Sequence, residues 1–115
     1  MKHIKLVVNN DKIKKGKEEF FIKKELQCIL NLYAKMVSNG SWKDYAFSTG
    51  SREVSFDVYQ RASEKPVIRI TKNLKPKYSN EKFFIKDRNG NVLNKSENLN
   101  YLISKTSWNE LRLVK

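Results

Sequence analysis

Between Arg69 and Arg88 the chain carries Arg69, Lys72, Lys75, Lys77, Lys82, Lys86 and Arg88, with Tyr78, Phe83 and Phe84 set among them. A sheet face that presents cations beside aromatic rings can hold a phosphate backbone by charge while bases stack on the rings. This stretch is therefore the candidate surface for RNA or DNA. Carboxylates offer a second kind of chemistry. Asp44 lies between Trp42 and Tyr45, and aromatic surroundings can desolvate a carboxyl until it serves as a general acid. Its plainer role is to close a turn or pair with an arginine. Glu64, beside Pro66 and near Arg61 and Arg69, has the same two readings.

Other chemistries lack their residues. The single histidine, His3, falls in a terminal segment, so the usual general base near neutral pH is missing. The single cysteine, Cys28, excludes an internal disulfide and a thiolate zinc cluster, and its helix position suits an unreactive, partly covered thiol. Gly16, Gly40, Gly50 and Gly90 form no phosphate-loop spacing. Calcium-loop, zinc-finger and Gly-x-x-Gly patterns are absent too. No catalytic residue, metal or cofactor is expected.

Charge sets the class of partner. The 115 residues hold 24 Lys and Arg against 12 Asp and Glu, a net +12, and clustered cations attract polyanions by releasing counterions. Lysine outnumbers arginine 19 to 5 and asparagine is abundant, which is also what an A-rich genome writes onto a solvated surface. Phosphate sites favour the arginine fork. The charge is uneven, however: residues 63 to 95 hold nine cations and three anions, half of the net excess in one segment.

The elements that would position these groups follow from periodicity. Residues 2–8 alternate loosely as a short strand, and 9–18 form a polar loop or flexible arm rich in lysine. Ile22, Leu26, Ile29, Leu30, Tyr33, Met36 and Val37 recur by threes and fours, the apolar stripe of a helix that Asn39-Gly40 ends. After Gly40 the period becomes alternating. Tyr45 to Ser48, Glu53 to Arg61, Val67 to Lys72, Lys82 to Asp87 and Asn91 to Leu93 read as strands. Thr49-Gly50-Ser51 and Asn89-Gly90 make hairpin turns, and Ser63 to Pro66 and Leu74 to Asn80 supply the other connections. Phe83 and Phe84 are consecutive, so one of them must face away from the core unless a helix covers it. Ser96 is placed to cap a second, shorter helix bearing Leu99, Leu102 and Ile103. Ser107 and Glu110 have capping-box spacing, while Leu111 to Val114 alternates like a strand. The expected fold is one α+β domain over 1–115, an antiparallel meander of four to five strands with a long N-terminal and a shorter C-terminal helix.

The order of certain residues carries more than periodicity. Phe21 to Leu26, Ile29-Leu30, Tyr33 to Val37, Gly40, Trp42 to Ala46, Phe56 to Arg61, Ser63-Glu64, Pro66, Arg69-Ile70 and Lys72 together resemble a small bacterial domain-of-unknown-function family. The Met-Val-x-x-Gly-x-Trp-x-Asp-Tyr-Ala stretch from Met36 to Ala46 is its distinctive part. The resemblance continues more weakly through Gly90 and Leu93, covers residues 21–94 and departs at Ala34, where glycine is expected, and at Gln60, where a second basic residue is expected. It implies no activity. It directs attention to Trp42, Asp44, Tyr45, Arg61, Glu64 and Arg69 as a hydrogen-bonded cluster, either a lock joining helix to strands or a docking point for a protein partner.

With no apolar run of transmembrane length, and a start too polar for a signal peptide, the chain is expected in the cytoplasm and off the membrane. Two functions fit: a non-enzymatic module binding RNA, DNA or a ribonucleoprotein through residues 65 to 88, or a protein-interaction adaptor using Trp42, Asp44 and Tyr45.

Overall fold

A computed structural model of the chain describes residues 19–61 and 65–108. The short strand at 2–8, the arm at 9–18, Glu64, and the ambiguous segment from 109 onward lie outside them. The helix expected before Gly40 runs over Lys23–Ser38 and is α1. At its start the Glu25 carboxylate reaches back to accept the N–H of Ile22 at 2.8 Å, which satisfies one of the donors that a helix leaves open. At its end Ser41 N donates to Met36 O and Gly40 N to Val37 O, the paired bonds of a Schellman stop. Gly40 takes the left-handed φ of +82° that this stop requires.

The buried side of α1 is Glu25, Leu26, Ile29, Leu32 and Met36. The expected stripe is corrected here: Leu32 joins it, while Ile22 and Val37 are exposed. At 100° per residue the buried arc is rotated about 40–50° from the expected one, toward Glu25 and Leu32. A glutamate sits inside that arc because the sheet supplies it with a cation.

Strands β1 (Asp44–Thr49), β2 (Glu53–Tyr59), β3 (Ile68–Asn73), β4 (Phe83–Asp87) and β5 (Val92–Ser96) follow in order. They form a five-stranded sheet in chain order, every pairing antiparallel. The meander agrees with the alternation. Phe47, Phe56, Ile70, Ile85 and Asn94 stand opposite one another across all five strands. Phe56, Ile70 and Ile85, with Val54, Val58, Ile68 and Phe83, enter one core with Leu26, Ile29, Leu32 and Met36 of α1, each buried large apolar side chain contributing about 1.5–3 kcal/mol. Leu93 is an extra residue on β5, because Ile85 pairs with Asn94 while Lys86 pairs with Val92.

The β4–β5 turn is the expected Asn89-Gly90 hairpin. Gly90 has φ +89°, and the Asp87 carboxylate accepts the N–H groups of Asn89 and Asn91, each at 2.9 Å. The second helix, α2, is Leu99–Lys105. Its cap is Asn98, whose side chain accepts from Tyr101 N at 2.9 Å; Ser96 remains in β5 and accepts from Asn98 N instead. Leu99 and Leu102 are buried in the common core and Ile103 packs at its margin.

Candidate nucleic-acid interface

Alternation gives the sheet a second face, turned from the helices. Two cross-strand rows lie on it. One is Ser48, Ser55, Thr71, Phe84 and Lys95; the other is Ala46, Asp57, Arg69, Lys86 and Val92. The character of these rows changes along the sheet. Over β2 and β3 they are polar and covered, with Ser55, Asp57 and Thr71 all buried. Toward β5 they are cationic and open: Arg69, Lys95 and Val92 are exposed, and Phe84 and Lys86 half-buried.

Asp57 organises the polar part. It is 2% exposed and accepts the Ser48 hydroxyl at 2.6 Å and the Ser55 hydroxyl at 2.7 Å. The Arg69 Nε lies 3.5 Å from the same carboxylate. A guanidinium has five N–H donors in a rigid plane, so a contact through Nε fixes its orientation while other donors point elsewhere. Arg69 is 46% exposed and remains a surface cation.

The sequence-selected cations fall into three places. Arg69 and Lys86 are cross-strand neighbours on the second face, and with Arg88 and Lys65 they border a hollow of about 310 Å³ at the end of the sheet. Lys86 Nζ sits 5.3 Å from the centre of the Phe84 ring, a cation–π distance. Lys75 and Lys77 are exposed on the connection from β3 to β4, and Lys82 Nζ lies 5.5 Å from the Phe83 ring. Antiparallel strands put this group at the other end, about 17–20 Å away. Lys72 is at neither place. It is 1% exposed, and its Nζ donates to Glu25 Oε1 at 2.8 Å and to Phe20 O at 3.0 Å. The expectation that Lys72 contributes a surface charge is corrected on physical grounds: it shares the parity of Ile68 and Ile70, and so points at the helices.

Phe83 is buried, and Phe84 lies on the second face, as their adjacency requires. Lys65 and Lys95 complete the cationic region and are missing from the sequence-selected set. Their signal is present in part, since Lys95 follows from extending the Asn89-Gly90 hairpin along its register.

The Trp42 region is built differently. Trp42 is 4% exposed, with its ring centre 6.2 Å from Tyr33 and 5.7 Å from Trp108. Tyr45 stacks on Phe56 at 4.9 Å and meets Tyr33 edge-on at 4.8 Å. These rings pack α1 against β1 and β2. Asp44 is exposed and accepts Tyr45 N at 2.8 Å, while Arg61 is exposed just past β2. Burial first, then the Asp44 charge, hold the hydroxyls of Tyr33 and Tyr45 above the ordinary tyrosine value of 10.0; the nearby Tyr45 adds to the effect on Tyr33. Arg69 stands on the far face with Asp57, apart from Trp42 and Tyr45, and Glu64 lies outside the described residues.

Among the described residues, an antiparallel meander backed on one side by two helices, with a second face that is cationic toward β5, makes an α+β fold. The chain belongs to the family described as protein of unknown function (DUF2794), which matches residues 20–103. No curated protein and no solved structure matches it. Among the described residues no helix is long and apolar enough to cross a membrane, and no group of three or more His, Cys, Asp or Glu could hold a metal ion.

Proposed function

We propose that this domain is a non-enzymatic cytoplasmic module that binds single-stranded nucleic acid, free or within a ribonucleoprotein, on the second face of its sheet. The observation that carries this reading is the meeting of Arg69, Lys86, Arg88 and Lys65 at one hollow, with Phe84 and Lys95 in the adjoining row. Cations would hold the backbone and the Phe84 ring would stack a base. The buried Lys72 takes no part, and Lys75, Lys77 and Lys82 would touch only a longer strand.

Fluorescence anisotropy with labelled single-stranded RNA and DNA tests it. Affinity should fall steeply with added salt, as displacement of counterions demands. Absence of binding to either polymer at low salt, or binding indifferent to salt, would remove the reading.

A further inference from the structure

The hollow at the end of the sheet is more selective than a basic stripe. Its cations come from two places in the chain: Lys65 and Arg69 from the start of β3, Lys86 and Arg88 from the end of β4. Among the described residues the carboxylate on its border is Asp87, which the turn engages: its Oδ1 accepts the N–H groups of Asn89 and Asn91, and its Oδ2 the amide of Asn91 at 3.4 Å. Asp57 meanwhile steadies the Arg69 guanidinium from behind. Four cationic residues thus line a space of about 310 Å³, near the lower end of volumes that small ligands occupy.

We propose that this hollow binds the terminal phosphate monoester of a nucleic-acid strand in preference to an internal phosphodiester, an inference that rests on the nucleic-acid reading above. The reason is charge and donor count. An internal phosphodiester carries one negative charge and two free oxygens, which two cations saturate. A terminal phosphate carries close to two charges and three acceptor oxygens at neutral pH. It gives all four cations a partner, and a steadied guanidinium suits its bidentate recognition. The hollow sits at a strand end beside the β4–β5 turn, where a chain terminus enters more readily than a continuous backbone.

The test uses three oligonucleotides of one sequence, ending in a 5′-phosphate, a 3′-phosphate or hydroxyls only, at fixed ionic strength. At least one phosphorylated form should bind roughly fivefold or more tighter than the hydroxyl form, and the pair of ends identifies which terminus is read. Arg69→Lys should weaken binding of both forms, the phosphorylated one more, so that the difference between them narrows. Should Arg69→Lys melt early, Lys65→Ala with Arg88→Ala, both at exposed positions, makes the same test. Equal affinity for all three oligonucleotides overturns the proposal and leaves the nucleic-acid reading standing. If no oligonucleotide binds, a titration with inorganic phosphate followed by amide NMR separates the two. Shifts confined to residues 65–69 and 86–90 uphold a phosphate site without a polymer, and unchanged spectra overturn the site as well.

Discussion

Lys72 on β3 and Glu25 in the first turn of α1 meet with Nζ 2.8 Å from Oε1, in a part of the core where the lysine is 1% exposed. Breaking such a pair removes one buried charge from beside the other. Lys72→Ala or Glu25→Ala should each cost about 3–5 kcal/mol in chemical denaturation, whereas the double replacement Lys72→Met with Glu25→Leu should restore most of the loss. A single replacement that leaves the denaturation midpoint unmoved would show that the pair is not formed.

Asp57 anchors hydroxyls from two strands and the guanidinium of a third. Asp57→Ala removes the acceptor of the buried Ser55 hydroxyl, at about 1–3 kcal/mol for an unsatisfied buried group. It also releases Arg69, so preference for a phosphorylated end should weaken beyond what the stability loss explains. Asp57→Asn, which keeps an acceptor, should be milder on both counts in melting and binding.

On the second face, Lys86→Glu with Arg88→Glu should reduce the slope of log affinity against log salt by about 0.7 for each phosphate that is no longer neutralised. The matched pair Lys75→Glu and Lys77→Glu, at the far end of β3 and β4, should change that slope little on a short oligonucleotide. Equal effects from both pairs would place the binding surface elsewhere.

Tyr33 and Tyr45 set an alkaline limit. Their hydroxyl groups deprotonate above 10.0 in the folded chain, so folding holds the proton more tightly than the unfolded chain does. Their contribution to stability is intact below pH 10.0 and declines as pH rises toward their folded values. Phenolate absorbance should show two tyrosines titrating late. Asp44→Asn should bring both down partway, leaving the larger part that burial causes; no movement in either would separate Asp44 from the pair.

Gly40 and Gly90 hold left-handed φ values with nothing within 4 Å of an added Cβ. Replacement by alanine therefore tests backbone conformation without a clash, and should cost about 1–2 kcal/mol at either site. Asparagine, which tolerates this region, should cost less in the same thermal melts.

Much of the fold is legible in residue order. The strand parity of Phe56, Ile70 and Ile85, the Asn89-Gly90 turn and the Gly40 stop each follow from local chemistry. Lys72 is misplaced when charge is weighed before parity: its spacing from Ile68 and Ile70 already assigns it to the core face. The buried arc of α1 is displaced for a related reason, since a glutamate counts as polar until its partner on another element is known. Asp57 gives no local signal, because two of its partners, Ser48 and Arg69, lie across strand pairings. Nor does the approach of Trp108 to Trp42, which are far apart in the chain.

Among the described residues each strand pairs with its neighbours in the chain, and this has a kinetic consequence. Loop closure for each ladder is short, so the sheet can assemble as successive hairpins without a slow search for distant partners. The costly closure is the docking of α2 and Trp108 onto α1 and Trp42. A nascent chain would therefore zip its ladders as they emerge from the ribosome, and lock shut when α2 and Trp108 arrive.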